Sequence, residues 1–244
     1  MYYLESIQRD PYYNLALEQF VFDHLPPHQS AFMLWQNDNT IVVGKYQNTA
    51  EEINQAYVDE HQIRVARRLS GGGAVYHDQG NLNFTFITDA SNVQEFQFEV
   101  FVRPVIAALK KMDIKAEFNG RNDITINGLK FSGNSQYIKN DRVMHHGCIM
   151  VDSNLVSVTQ ALKVKAAKFD SKSVKSVKSR VTTINAQAQN PRTVEEFKEM
   201  LKNSVLEKNS LITWELTEEQ QQEVQKLRDE KYATWEWNYG KAAD

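Results

Sequence analysis

"DITINGLKFSGN", residues 123–134, settles more of the architecture than any other stretch of this 244-residue chain. Asn127-Gly128 is the preferred pair for a two-residue type I′ turn, in which both central residues take positive φ. A loop of that length sets the pairing: Ile126 opposite Leu129, Thr125 opposite Lys130, Ile124 opposite Phe131, and Asp123 opposite Ser132. Side chains alternate across a sheet, so Ile124, Ile126, Leu129 and Phe131 are predicted to share a core face. The other face then collects Asp123, Thr125, Lys130 and Ser132. An exposed edge hairpin often carries lysine for solubility, which is the ordinary reading of such a face. The small-residue stretch "SGNS" that follows argues for a ligand, because a second such stretch lies upstream.

That second stretch is "RRLSGGGAVYHD", residues 67–78, which places three of the chain's 10 glycines in a row behind paired arginines. One or two glycines make a turn, whereas three strip the Cβ atoms from a length of backbone and suit close approach by a ligand. Two Cβ-poor loops beside cationic side chains predict a cradle for an anion. The loop matches neither G-x-x-x-x-G-K-[ST] nor G-x-G-x-x-G, so it supports neither a P-loop nor a dinucleotide fold.

Outward from these loops the pattern mixes helices and strands. Asp10-Pro11 reads as a cap and first turn, with Leu17, Phe20, Val21 and Leu25 at helical spacing over 11–25. "FMLW", "TIVVGKYQ", "RVARRL", "NLNFTFIT", "IKAEF" and "VMHHGCIMV" read as strands. Thr49 with Glu52 predicts a capping box before a helix burying Ile53, Ala56 and Tyr57, and Thr193 with Glu196 predicts another. Phe98 to Leu109 has helical period, with Pro104 expected to start or kink the helix. The portion from about 190 to 244 reads as mostly helical. Without strict βαβ alternation, the class is α+β: a mixed, largely antiparallel sheet packed with helices, in one domain over 1–244.

Composition narrows the function. Net charge is −3, with 41% hydrophobic and 24% charged residues, which gives no reason to expect a nucleic-acid partner. The chain shows no basic-then-apolar leader and no apolar run of about 20 residues, so no membrane association is expected. The single cysteine, Cys148, fits a reducing cytoplasm and is expected to be a buried, inert thiol. His77, His145 and His146 lack the spacing of a helical zinc site, and any metal role is open. The stretch "LKVKAAKFDSKSVKSVKSRVTT" sets Lys163, Lys165, Lys168, Lys172, Lys175, Lys178 and Arg180 against Asp170 and reads as a basic loop beside the anion.

Taken in order and spacing, "RRLSGGGAVYHD", "NLNFTF", "GRNDITINGLKFSGNSQY" and "MHHGCIM" resemble the lipoate–protein ligase A family, and the resemblance runs from the first helix to the terminal "TWEWNYGK". It implies a biotin/lipoate ligase-like catalytic domain that activates lipoate with ATP and passes the lipoyl group through lipoyl-AMP to a lysine of a lipoyl domain. By match to the family's motifs, Lys130 is implied as the catalytic lysine. ATP or adenylate contacts are implied at Arg68, Gly73, Ala74, Val75, Tyr76, His77, Asp123, Lys130 and Ser132. Lipoate contacts are implied at Trp35, Arg68, Ser70, Gly72, Gly73, Lys130 and His146. Mg²⁺ is implied as held mainly through the phosphates, and 2-oxoacid dehydrogenase E2 subunits and glycine cleavage H protein as partners.

The nearest rival is an ATP-independent lipoyl or octanoyl amidotransferase, whose nucleophilic cysteine would stand where this chain has "GRND", residues 120–123. Biotin–protein ligases carry a "GRGRxG" loop that is absent here. Family members commonly continue past "WEWNYGK" into a small accessory domain, which is expected to be absent from this chain. That leaves a lipoyl-AMP-dependent transferase or binder, with a separate lid protein for adenylation, as a further alternative. Departures from the family pattern are Ser173, Thr183 and Ser135, where glycine, asparagine and alanine are expected.

Overall fold

A computed structural model of the chain describes residues 1–89, 98–163 and 180–240. Eleven strands in the described residues form two sheets. The larger has the order β11-β1-β2-β6-β10-β9-β8-β7, from β11 (Ile212–Thr213), β1 (Tyr2–Glu5), β2 (Ser30–Trp35), β6 (Asn81–Asp89), β10 (Arg142–Met150), β9 (Leu129–Lys139), β8 (Asp123–Ile126) and β7 (Ala116–Phe118). Within this sheet only β1 pairs in parallel, with β2 and β11; its other pairs are antiparallel. A small sheet sets β3 (Thr40–Val43) between β4 (Arg64–Arg67) and β5 (Val75–His77). The expected α+β class is thus observed.

The two faces of the large sheet have separate cores. On one, α4 (Phe98–Lys110) and α7 (Val194–Leu206) bury Phe101, Val105, Phe197 and Leu201 against Phe84, Ile124, Phe131 and Ile149. On the other, α1 (Pro11–His24) packs Leu15, Phe20 and Val21 against Met33, Trp35 and Met144, closed by Val224 of α8 (Glu218–Leu227) and by Tyr232 in the π-turn Arg228–Tyr232. Burying one apolar side chain is worth roughly 1.5–3 kcal/mol, so each face is a substantial source of stability. The small sheet has its own cluster, with Ile41, Val43, Ile53 and Val58.

Local signals account for most helix starts. Asp10 accepts from the Tyr12 amide with Pro11 in the first turn, and Thr193 with Glu196 forms a full capping box. Three expectations need correction. Thr49–Glu52 (α2) has no side-chain cap, because the Thr49 hydroxyl donates instead to the Asn238 carbonyl. The next helix, α3 (Gln55–Glu60), is capped by Asn54 and buries Val58, whereas Ala56 is exposed. Pro104 lies inside α4 rather than at its start.

The hairpin of residues 123–134 forms with Asn127 and Gly128 at φ 51° and 77°, as a type I′ turn requires. Ile126 meets Leu129 and Thr125 meets Lys130 as predicted, but a β-bulge then places Ile124 opposite Ser132 and Asp123 opposite Gly133. One extra residue flips the facing of all that follow. Ser132 therefore leaves the Lys130 face; it is fully buried opposite a core isoleucine, and its hydroxyl accepts from Asn134. Of the basic stretch, Lys165, Lys168, Asp170, Lys172, Ser173, Lys175 and Lys178 lie outside the described residues.

Candidate active site

The glycine loop and the lysine hairpin wall one cavity between the two sheets. Gly44 sits where a Cβ would collide with the Gly72 carbonyl, and Gly72 itself has φ 95°, so the 44 and 72 backbones touch only because both residues are glycine. At Gly73 nothing of the protein lies within 4 Å of where a Cβ would be, so the protein's own packing does not require that glycine. Gly73 is exposed and lines the cavity, so a ligand can approach its backbone closely.

Arg68 holds this loop. Its Nη2 donates to the Gly71 and Gly73 carbonyls at 2.8 Å, its Nη1 to the Val42 carbonyl and its Nε to the Ser70 hydroxyl. Burial pulls its pKa down to about 10, with the Cys148 and Glu18 sites acting the other way. At that value the group stays cationic near neutrality. Its described hydrogen-bond partners include no carboxylate, so it puts positive potential at the cavity wall, offset only at longer range by Glu18. The Ser135 hydroxyl donates to the Gly71 carbonyl from β9 and ties the loop to the hairpin.

Lys130 Nζ lies 2.8 Å from Asp123 Oδ1 in an ion pair whose angles are not those of a hydrogen bond. The two side chains are 37% and 23% exposed, which marks this end as the open side. The Lys130 backbone bridges to Val181: its amide donates to the Arg180 carbonyl and its carbonyl accepts from the Thr182 amide. The segment that follows the basic stretch thus returns directly onto the lysine. Thr183, where the family pattern expects asparagine, still caps the helix Ile184–Gln187 (α6) by accepting from the Ala186 amide.

Behind the cavity runs a buried polar chain. Trp35 Nε1 donates to the Thr85 hydroxyl, which donates to Glu18 Oε1; the same oxygen lies 2.8 Å from His146 Nδ1, and His146 Nε2 meets the Ser70 hydroxyl. Glu18 is 2% exposed and sits in the apolar stripe of α1, where helical periodicity gave no sign of it. His145, one residue away, faces the opposite core, where it stacks on Phe101 and bonds to Asn134. Burial pushes it down to about 3, so it is neutral.

Of the residues singled out in sequence, the cavity brings together Trp35, Arg68, Gly72, Gly73, Ala74, Val75, His77, Lys130 and His146. Four do not line it. Ser70 lies behind the wall between Arg68 and His146; Asp123 reaches the site through Lys130; Ser132 is turned into the core by the bulge. Tyr76 alternates away from Val75 and donates to Asn39, and burial pushes its phenol up to about 12. Cys148 corrects another expectation: its thiol is half-buried and lines the cavity, donating to the Gly133 carbonyl at 3.7 Å. That bond supplies no base, so it does not activate a nucleophile. Asn83, Asn122 and Leu15 line the cavity without a sequence signal beyond their strands, loops and helix.

The C-terminal segment buttresses the same region. Arg67 donates to the carbonyls of Gly44, Lys45, Gln47, Trp237, Asn238 and Gly240, and Trp237 Nε1 returns a bond to the Arg67 carbonyl. Among the described residues no group of three or more His, Cys, Asp or Glu side chains could hold a metal ion, and no helix is long and apolar enough to cross a membrane.

With this geometry in hand, comparison with known proteins is specific. Staphylococcus aureus lipoate–protein ligase 1 is 44% identical over 232 residues, 95% of this chain and 71% of that relative. A solved bi-partite lipoate protein ligase of Thermoplasma acidophilum, described with its E2 lipoyl domain, superposes with a TM-score of 0.86 at 25% identity, covering 100% of this chain and 97% of that one. P. falciparum LipL1 in complex with lipoate gives a TM-score of 0.81 at 26% identity, covering 100% of this chain and 75% of that one. The family model of the lipoyl protein ligase A/B catalytic domain matches residues 10–206. The chain belongs to the lipoyl protein ligase A/B catalytic domain family.

Proposed function

We propose that residues 1–244 form one catalytic domain that activates lipoate with ATP and transfers the lipoyl group to a specific lysine of lipoyl-domain proteins. The observation that carries the reading is the convergence of Lys130, on β9, and Arg68, just after β4, on one cavity beside a glycine loop with open space at Gly73. Family membership supports the same reaction, as does the 44% identical ligase.

The lipoate carboxylate attacks the α-phosphorus of ATP, an oxygen–phosphorus bond forms as pyrophosphate leaves, and lipoyl-AMP results. Both reactants are anions, so the barrier is largely electrostatic, and fixed cations aimed at the phosphoryl oxygens lower it. Lys130 supplies the mobile charge and exchanges Asp123 for the ligand. Arg68 supplies fixed charge through a loop whose carbonyls already occupy its donors. The acceptor amine then attacks the mixed anhydride carbonyl and AMP leaves. The described residues gather no carboxylate set for a protein-held Mg²⁺, so any Mg²⁺ belongs to the nucleotide's phosphates. Acceptors are lipoyl domains such as E2 subunits and the glycine cleavage H protein, in a cytoplasmic setting.

Lys130→Ala is expected to abolish both half-reactions. Normal transfer to a lipoyl domain from preformed lipoyl-AMP by this variant would refute the role of Lys130 in the second step.

A further inference from the structure

The cavity wall contains a polar atom that no described residue of the protein satisfies. His77 is 3% exposed and lines the cavity, and its Nε2 is buried with no protein partner. Buried polar groups are normally satisfied, so an orphan on a residue that lines a ligand site points to the ligand.

Which proton His77 carries follows from the protein itself. The Asn14 Nδ2 group reaches the backbone carbonyls of Gln8 and Gln36, which only a donor can do. The atom of Asn37 that meets Asn14 Nδ2 is therefore the acceptor Oδ1. The Asn37 Nδ2 group is left to face His77 Nδ1 at 3.2 Å, which makes Nδ1 an acceptor. Asn83 adds a second amide Nδ2 on the same ring nitrogen at 3.5 Å. A ring accepting at Nδ1 carries its proton on Nε2. Burial, with Arg68 and His146 nearby, pushes its pKa down to about 3, so it neither gains a second proton nor changes role near neutrality.

The place of this donor along the ligand follows from exposure. Gly72, Gly73 and Lys130 form the open side, where nucleotide must enter and the carboxylate must sit. Trp35, His77, Asn83 and Leu15 are all at most 5% exposed and form the closed end. An acyl chain with its carboxyl at Lys130 puts its far end there.

We propose that His77 is a specificity-determining residue whose Nε2–H donates to a sulfur of the ligand's dithiolane ring, favouring lipoate over an unsubstituted chain of the same length. The proposal rests on the reading of the cavity as a lipoate site. Sulfur is a weak acceptor, but octanoate offers none and leaves the buried donor unmatched. A preference of about five-fold is expected from such a contact.

The test is calorimetric binding of lipoate and of octanoate to the full chain, in the wild type, His77→Phe and His77→Gln. Failure of the wild type to bind either acid refutes the lipoate-site reading itself. Binding of both without preference leaves that reading standing and overturns the role of His77. Otherwise His77→Phe is expected to lose the preference, its affinities for lipoate and octanoate becoming equal whatever their absolute values. His77→Gln, whose amide places a donor near Nε2, is expected to keep it. A preference that persists in His77→Phe, or vanishes in His77→Gln, overturns the proposal. Should both variants bind neither acid, the ¹⁵N spectrum of wild-type His77 decides: a proton on Nε2 shifted by lipoate and not by octanoate supports the proposal, and a proton on Nδ1 or an unmoved Nε2 overturns it.

Discussion

Arg67 and Arg68 are neighbours in the chain and carry the same group, yet the first ends β4 and the second opens the glycine loop, and they serve different parts of the molecule. Arg67 turns outward into a shell of backbone carbonyls from residues 44–47 and 237–240, and so binds the C-terminal segment to the body. Arg68 turns inward and spends its donors on the carbonyls of Val42, Gly71 and Gly73. No carboxylate is among the described hydrogen-bond partners of either. The first guanidinium is a structural hub that replaces a stretch of secondary structure. The second shapes a loop and leaves its charge where an anion can use it. The division falls where β4 ends at Arg67 and the glycine loop begins at Arg68.

Substitutions separate the two roles. The largest effect is expected on chemistry: Lys130→Ala and Arg68→Ala each lower lipoate activation by about 10²–10³-fold, the usual cost of removing a group that stabilises developing charge. Single-turnover formation of lipoyl-AMP measures it. Arg67→Ala should instead act on stability, by more than about 3 kcal/mol in urea unfolding, because several buried carbonyls lose a charged donor together. Arg67→Lys should not restore it, since an ammonium cannot fork to so many acceptors. Equal losses of activity and stability in both alanine variants would erase the distinction.

Acid should sharpen it further. His77 and His145 are held near 3 by burial, against 6.5 for an ordinary imidazole. The unfolded chain binds protons below about 6.5 that the folded chain refuses, so stability is full above that pH and falls as pH drops toward 3. Urea midpoints at several pH values should show this slope, and His145→Phe should flatten it. The smallest effect is expected at Cys148, which has no activating base: Cys148→Ser should keep activity within about two-fold of the parent chain. A loss as large as that of Lys130→Ala would revive the thiol-dependent transferase.

Much of this is legible in the sequence. The Asn-Gly turn gave the hairpin and put Lys130 with Asp123, and the glycine run with its arginines marked the second wall. What escaped notice had physical causes. A β-bulge has no sequence signature as plain as Asn-Gly, so the flip of Ser132 was hidden until the pairing was seen. Glu18 and Asn14 lie in an apolar helical stripe, where periodicity predicts packing and cannot show a polar partner on another strand. Thr49 looked like a cap because its local context matched, but a contact 189 residues away claimed its hydroxyl. Gly44 read as part of a strand; its need for a missing Cβ appears only when Gly72 stands against it.

The measurement that bears most directly on the central claim is lipoate-dependent exchange of pyrophosphate into ATP by this chain alone. It reports activation without an acceptor protein. The account expects exchange that requires lipoate and disappears in Lys130→Ala. A folded chain that binds lipoate and ATP but exchanges no pyrophosphate would contradict the claim that the cavity joining Lys130 to the glycine loop is sufficient for adenylation.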